Sequence, residues 1–239
     1  MKKIISFAVC LLMTLALCVP ALAEEYVSNL QEVVIDTYDY ASPVPENTAK
    51  DDSWFADAVF VGDSRMVGLV QYAEIPCAAN FSRESINIAE MFTKECITTA
   101  AGTTTIADAL EGGSYGKCYI MTGVNELGWQ NFDTFIKYYG DFIDHIKGIH
   151  PETKIYVMSI LPVGAKATAT QDYFNNDRVN TVNSMLQQMC TDKGVYFVNV
   201  FESVVVNGGL PDDAAPDGVH LNGSYCNMVK QYLLSHTVD

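Results

Sequence analysis

Four short apolar runs recur along the chain, and each ends at residues that favour turns. They lie at about residues 57–61, 117–121, 154–161 and 195–200. Continuous apolar runs of this length are typical of strands buried on both faces of a sheet. A further strand is expected within residues 78–88, where the pattern is weaker.

Longer segments between these runs carry apolar residues at every third or fourth position, which predicts amphipathic helices. The clearest lie at residues 132–149 and 178–190. Strands that alternate with helices predict a parallel sheet covered on both faces. The sequence therefore predicts an α/β fold, a three-layer α/β/α sandwich around a five-stranded parallel sheet with a flavodoxin-like architecture.

Shorter elements complete this prediction. The pattern predicts a helix that ends near residue 72 and short helices over residues 88–96 and 103–110. It also predicts a polar loop over residues 164–175 and a last helix, capped by Asn222, that runs to about residue 235.

The first 23 residues have the pattern of a signal peptide. Lys2 and Lys3 precede an apolar stretch that runs to Val19, and the stretch Ala21–Ala23 has the small-residue form of a cleavage site. The apolar stretch is short for a membrane span, so we expect a secreted protein. A lipoprotein signal that ends at Cys18 is the alternative, although the leucine before this cysteine is larger than that motif usually carries.

The rest of the chain divides into two parts. Residues 24–53 show little periodicity and contain a proline-rich stretch, which indicates a leader or linker. Residues 54–239 then form one folded domain, and no other stretch of the sequence is long and apolar enough to span a bilayer.

Charge and cysteine content narrow the function. Loss of Lys2 and Lys3 leaves 12 basic and 29 acidic residues, a net charge of −17. A chain this acidic is not expected to bind nucleic acid or anionic membranes, so we expect a neutral substrate or a pocket whose local field differs from the average. Five cysteines lie beyond the leader and none forms a CxxC pair, which argues against a zinc site. Disulfide pairing and oligomeric state are not determined by the sequence.

Candidate catalytic residues follow three of the predicted strands. Ser64 follows the first strand, Asn125 follows the third, and Asp217 and His220 follow the fifth. Because the carboxyl ends of parallel strands lie along one edge, these loops are expected to meet. His220 can then remove the proton from Ser64, and Asp217 can orient the imidazole. In an alternative interpretation, Ser64 serves only as a helix N-cap.

The stretches Gly62-Asp63-Ser64, Gly123-Val124-Asn125 and Asp217-Gly218-Val219-His220 resemble blocks I, III and V of the SGNH (GDSL-type) hydrolases. The resemblance covers roughly residues 54–239. It implies a serine esterase that needs no metal or other cofactor. Matched by position, Ser64 is the nucleophile, His220 the base and Asp217 its partner, while Asn125 and the backbone N–H of Ser64 bind the oxyanion.

Two positions depart from the family pattern. Glu126 stands where block III usually has an aspartate. No glycine occurs between Gly68 and Gly102, although block II normally supplies a glycine N–H after the second strand. Ser85 is the expected replacement, because any residue except proline carries a backbone N–H.

The expected function is that of a secreted serine esterase. The family resemblance and the predicted location favour hydrolysis of short-chain acyl esters, acetyl esters first, on a carbohydrate or cell-wall glycan, without nucleic-acid partners or membrane insertion. Arg65 and Trp129 can line the substrate site, as can Tyr173 and Phe174, or they can serve packing and surface roles. Two other functions are compatible with the same residues, an O-acyltransferase that uses the same triad and a non-catalytic glycan-binding module.

Overall fold

The computed structural model describes residues 38–239, and one parallel sheet forms its centre. The strands of this sheet are β1 (Ala58–Gly62), β2 (Ala79–Ser82), β5 (Lys117–Met121), β6 (Lys154–Met158) and β7 (Tyr196–Val198). They are arranged in the order β2-β1-β5-β6-β7, and all neighbours run parallel. Strands β3 (Ile97–Thr99) and β4 (Gly102–Thr104) form a separate antiparallel hairpin. The predicted five-stranded parallel sheet is confirmed.

Helices cover both faces of the sheet. They are α1 (Ser64–Tyr72), α2 (Ile106–Glu111), α3 (Phe132–Ile149), α4 (Ala165–Thr170), α5 (Asn176–Lys193) and α6 (Gly223–Ser235), with 3-10 helices at Asp52–Phe55, Ile88–Phe92 and Val200–Ser203. Phe60 and Tyr119 point to the core that contains α1 and α6, whereas Val61 and Ile120 point to the core that contains α3 and α5. This alternation between adjacent strand residues produces the predicted three-layer sandwich. In this part of the chain, no helix has both the length and the apolar character required to cross a membrane.

Gly62, at the end of β1, is required by close packing of the backbone. A Cβ atom at this position would lie 2.1 Å from the carbonyl oxygen of Met121 on the neighbouring strand β5. The two strands therefore approach each other at the point where β1 ends and α1 begins. This close approach places Ser64 beside the loop that follows β5.

Four local elements differ from the prediction. The helix predicted over residues 88–96 is a shorter 3-10 helix at Ile88–Phe92. The helix predicted over residues 103–110 begins only at Ile106, after a Thr105 side chain that accepts a hydrogen bond from the N–H of Asp108. The threonine-rich residues before it pair as the β3–β4 hairpin, in line with the strand preference of β-branched side chains. The predicted polar loop contains α4, whose alanine-rich sequence favours a helix without an amphipathic pattern.

The folded unit begins earlier than the predicted boundary at Trp54. The compact domain starts at Asp39. Residues 39–53 pack along this domain and do not form a linker. The N–H of Val44 donates to the carbonyl of Phe197 on β7 at 2.8 Å, and Val44 is buried. The N–H of Lys50 donates to the carbonyl of Leu234 on α6 at 2.9 Å. The predicted signal peptide and Cys18 lie outside the described residues.

The cysteines of the described domain are all free thiols. They are Cys77, Cys96, Cys118, Cys190 and Cys226. Burial raises the pKa of the Cys118 and Cys190 thiols above their usual range. These two side chains act as small apolar residues of the core.

Candidate active site

Ser64 is the first residue of α1 and lies at the carboxyl end of β1. The preceding Asp63 is the N-cap of this helix, and its carboxylate accepts a hydrogen bond from the N–H of Arg65 at 2.9 Å. The side chain of Asp63 thus occupies the capping role, so that the Ser64 hydroxyl is free to contact other groups. Ser64 is therefore not the N-cap of this helix.

The structure brings together the three side chains predicted to act on an ester. The Ser64 Oγ lies 2.8 Å from Nε2 of His220. On the other side of the imidazole, Nδ1 of His220 lies 2.6 Å from Oδ2 of Asp217. A hydrogen-bonded chain therefore runs from a serine hydroxyl through a histidine to a carboxylate, although the serine lies far from the other two residues in sequence.

The loop between Asp217 and His220 is shaped by hydrogen bonds from its backbone N–H groups to the Asp217 carboxylate. Oδ1 of Asp217 accepts from the N–H groups of Val219 and His220, both at 2.8 Å. Gly218 adopts φ +81°, and a Cβ atom there would lie 2.6 Å from the backbone nitrogen of Ala167. The glycine therefore permits the tight turn that carries the imidazole to Ser64.

These contacts also determine the charge of Asp217. Burial opposes ionisation, but the hydrogen bonds from the His220 imidazole and from the backbone N–H groups of His220 and Val219 outweigh it and lower the pKa of Asp217 to about 2. Asp217 is thus ionised throughout the neutral range. A fixed carboxylate beside Nδ1 favours the tautomer in which Nε2 is free to accept a proton from Ser64.

Asn125 and Ser85 lie on a second side of the same cleft. Nδ2 of Asn125 donates to the carbonyl of Ile86 at 2.7 Å, and an amide group carries a second N–H that this contact does not use. Ser85 is exposed and adopts φ +60°, in the left-handed region that favours glycine. The segment where block II lacks its glycine therefore adopts a glycine-like backbone conformation at Ser85.

The cleft around Ser64 has a volume of about 520 Å³. Val67, Val124, Phe174 and Val219 contribute apolar surface to it, while Gln71 and Glu84 contribute polar groups. This mixture of apolar and polar lining is typical of small-molecule sites.

Arg65 and Trp129, the two residues predicted to bind substrate, occupy different positions. Arg65 lines the cleft but is only 4% exposed. Its guanidinium donates to the carbonyls of Leu161 at 2.7 Å and Pro162 at 3.1 Å, so it holds the loop after β6. Trp129 packs against the core and does not line this cleft.

Two buried carboxyl groups lie beneath the cleft. Asp63 and Glu126 are each 1% exposed, and burial is the main reason that the pKa of Asp63 is raised. Oε1 of Glu126 accepts from the N–H of Ile88 at 2.7 Å. In the sequence, Glu126 stands out only as a departure from the family pattern. Its place close to two apolar residues, Val124 and Leu127, was the available signal that it is buried.

Residues 38–239 contain no group of three or more His, Cys, Asp or Glu side chains that could hold a metal ion. The arrangement around Ser64 has the parts needed for acyl transfer by a serine nucleophile, namely a hydroxyl, a base with an oriented ring and nearby N–H donors.

Comparison with protein families agrees with this geometry. Residues 60–224 match the model of the GDSL-like lipase/acylhydrolase family. The chain belongs to this family. The matched region includes Ser64, Asn125, Asp217 and His220, and it contains all strands of the central sheet except the first two residues of β1. Members of this family, also called SGNH hydrolases, are generally ester hydrolases.

Solved structures of GDSL and related proteins share the fold at low sequence identity. A GDSL-like lipase from Bacteroides thetaiotaomicron is 15% identical with a TM-score of 0.55, covering 77% of this chain and 90% of the other. The periplasmic domain of a lipopolysaccharide acetyltransferase from Salmonella Paratyphi A is 14% identical with a TM-score of 0.54, covering 74% and 82%. An acetyl esterase variant with an acetate ion is 14% identical with a TM-score of 0.51, covering 74% and 93%. No curated protein matches this chain.

Proposed function

We propose that this GDSL-family protein is a secreted serine esterase that removes short acyl groups, such as acetyl, from a carbohydrate or cell-wall glycan. The observation that carries the proposal is the chain of contacts from Ser64 Oγ to Nε2 of His220 at 2.8 Å and from Nδ1 of His220 to Asp217 at 2.6 Å. This is the geometry that converts a weakly nucleophilic hydroxyl into an effective nucleophile.

The reaction proceeds in two half-reactions. Ser64 Oγ attacks the ester carbonyl carbon while its proton passes to Nε2 of His220, and the electron pair of the C=O bond moves to the oxygen. The tetrahedral intermediate collapses, the bond to the alcohol oxygen breaks, and His220 gives its proton to that oxygen. Water then attacks the acyl-enzyme in the same way and releases the acid and free Ser64.

The negative oxygen of the intermediate needs N–H donors on the other side of the carbonyl group. The backbone N–H of Ser64, the second N–H of the Asn125 amide and the backbone N–H of Ser85 are the groups we assign to this role. All three residues line the cleft, and one such donor contributes about 10²–10³-fold to the rate. The donor at this position is a backbone N–H, so Ser85 can supply it in place of a glycine.

The charge around the cleft supports a neutral ester as substrate. The chain has a net charge of −15 before loss of the predicted leader, and Glu84 and Asp217 lie at or beside the cleft. The guanidinium of Arg65 is occupied by backbone carbonyls, which leaves it poorly suited to bind an anionic substrate. The predicted signal peptide supports a substrate outside the cytoplasm, and an acetyl esterase shares the fold.

The proposal is tested by hydrolysis of p-nitrophenyl acetate. Ser64→Ala and His220→Ala should each lower kcat by about 10⁴-fold or more, and Asp217→Asn, which keeps the size of the side chain, should lower it by about 10³–10⁴-fold. Circular dichroism serves as a control for folding. Equal rates for wild type and Ser64→Ala would refute the assignment, and absence of labelling by a fluorophosphonate probe together with binding of glycans would identify a non-catalytic glycan-binding module.

An O-acyltransferase is the second candidate, because the His220 side chain is 51% exposed and a sugar hydroxyl can approach it in place of water. The fold is shared with the periplasmic domain of an acetyltransferase. Incubation of the enzyme with p-nitrophenyl acetate and cello-oligosaccharides, followed by mass spectrometry, distinguishes the two. Acetylated sugar as the main product would favour transfer, and free acetate alone would favour hydrolysis.

A further inference from the structure

Glu126 occupies a position where a charged group is costly. It follows Asn125 directly and is 1% exposed, yet its Oε2 atom has no hydrogen-bond partner among the described residues. Its other oxygen, Oε1, accepts from the N–H of Ile88 at 2.7 Å and from the hydroxyl of Thr122 at 3.4 Å. An apolar side chain at this position would avoid the free-energy cost of burying a carboxyl group. Only a polar side chain, however, can accept the hydrogen bond from the N–H of Ile88.

This contact belongs to a pair. Asn125 donates to the carbonyl of Ile86 at 2.7 Å, and Glu126 accepts from the N–H of Ile88 at 2.7 Å. Two consecutive residues of the loop after β5 thus bind the backbone on both sides of residue 87. They fix the segment that follows Ser85 to the loop that carries Asn125.

Ser85 needs such a restraint. The left-handed conformation has a higher free energy for a residue that carries a side chain than for glycine. It persists where the surrounding structure holds it. The segment is also held before Ser85, where the N–H of Arg83 donates to the carbonyl of Gly62 at 3.0 Å. Glu126 and Asn125 therefore anchor the segment on the far side of the strained residue.

We propose that Glu126 is a positioning residue whose buried carboxyl group fixes residues 86–88 and thereby holds the backbone N–H of Ser85 on the oxyanion side of the cleft. The inference rests on the proposed esterase function. Glu126 itself touches neither the substrate nor the reacting atoms and acts through Ile88 and Ser85.

The charge of Glu126 gives this role a distinctive signature. The titratable groups that face it are Asp63, at the end of β1, and Tyr139 of α3, while the neighbouring segments present the Ile88 N–H and the Thr122 hydroxyl. Burial raises the pKa of Glu126 to about 8, so the group is mainly neutral at pH 7. Ionisation above this pH adds a negative charge beneath a site where an oxyanion must form, which should lower kcat.

The experiment compares hydrolysis of p-nitrophenyl acetate by wild type, Glu126→Ala and Glu126→Gln. At pH 7, Glu126→Ala should lower kcat by about 10- to 100-fold, because a displaced oxyanion donor loses much of its contribution, with KM changed by less than about threefold. Glu126→Gln keeps an oxygen acceptor for Ile88 and should retain most of the activity. The fall of kcat above pH 8 should be present in wild type and absent in Glu126→Gln.

Leu186→Ala is the matched control, because Leu186 is a buried residue of α5 outside the site and its loss destabilises the core without touching the cleft. A folded Glu126→Ala with the kcat of wild type would overturn the proposal, as would equal losses in Glu126→Gln and Glu126→Ala. If Glu126→Ala does not fold, identical pH profiles for wild type and Glu126→Gln overturn it. If Ser64→Ala is inactive in the same assay, the proposed esterase function stands and only the role of Glu126 fails.

Discussion

Replacement of Glu126 by Gln should make the folding stability of the protein less dependent on pH. Burial is the main cause that raises the pKa of Glu126 from 4.5 to about 8; the hydrogen bond from Ile88 opposes the shift and the charge of Asp63 adds to it. In the unfolded chain the carboxyl group is exposed and its pKa returns to the ordinary range. Between these pH values the folded protein therefore holds a proton that the unfolded chain has lost.

The sign and size of the effect follow from this difference. A raised carboxyl pKa contributes stability that is fully present below the unfolded value and is lost as the pH rises through the folded value. The shift from 4.5 to about 8 corresponds to about 5 kcal/mol in total, of which about 4 kcal/mol falls between pH 5 and pH 8.5. Wild type should thus lose about 4 kcal/mol more than Glu126→Gln across this interval.

The assay is urea unfolding followed by far-UV circular dichroism at several pH values from 5 to 8.5. A reductant is included because the five cysteines of the domain are free thiols. Glu90→Gln is the control, because Glu90 lies on the partly exposed side of the same segment, where its carboxylate accepts from the N–H of Asn87. Parallel stability curves for wild type and Glu126→Gln would refute the argument from burial.

Two further predictions concern the backbone around the site. Ser85→Gly should preserve the esterase rate, because the donor is a backbone N–H, and should raise the free energy of unfolding by up to about 1 kcal/mol by removing the left-handed strain; a lower stability or rate would contradict this. Asn183→Ala should lower the free energy of unfolding by about 2–4 kcal/mol, because the Asn183 amide pairs with both the N–H and the carbonyl of Ile160 at 2.7 and 2.9 Å. The same substitution at exposed Asn180 should change stability little, and equal effects at the two positions would contradict the assignment.

The sheet was predictable because its strands carry their own evidence. β1 and β5 are buried along their whole length, and β6 is buried except at its first residue. A strand covered on both faces is mostly apolar. The helix predicted at residues 132–149 has the bounds of α3, because its apolar face lies within the segment and its cap, Asn131, directly precedes it. Local sequence determines such elements, so a single chain is enough to recognise them.

The elements that were not predicted depend on contacts elsewhere in the chain. Residues 39–53 are polar and aperiodic, yet their backbone binds carbonyls of β7 and α6. The β3–β4 hairpin is only three residues long on each side, too short for a periodic pattern. In both cases hydrogen bonds between backbone groups contribute to the stabilisation, and the pattern of apolar and polar side chains does not reveal such bonds.

The same distinction applies to the site. Ser64, Asn125, Asp217 and His220 each follow a strand, and parallel topology alone is sufficient to bring strand ends together. The roles of Arg65 and Glu126 could not be predicted in this way, because each side chain binds backbone atoms in another loop, the carbonyls of residues 161 and 162 and the N–H of residue 88. Which loop lies within reach is a property of the folded chain.

These buried side chains explain how the loops of the site keep their relative positions. A loop after a strand has few contacts of its own and would otherwise move. Arg65 connects α1 to the loop after β6, Glu126 connects the loop after β5 to the segment after β2, and Arg178 of α5 donates to the carbonyl of Leu127 at 2.7 Å. Each of these hydrogen bonds joins a side chain to a backbone atom. The residue that contributes the backbone atom can therefore change identity without loss of the hydrogen bond. Ser85, which we propose in place of the block II glycine, lies next to a segment held in this way, because Asn125 binds the carbonyl of Ile86 and Glu126 binds the N–H of Ile88.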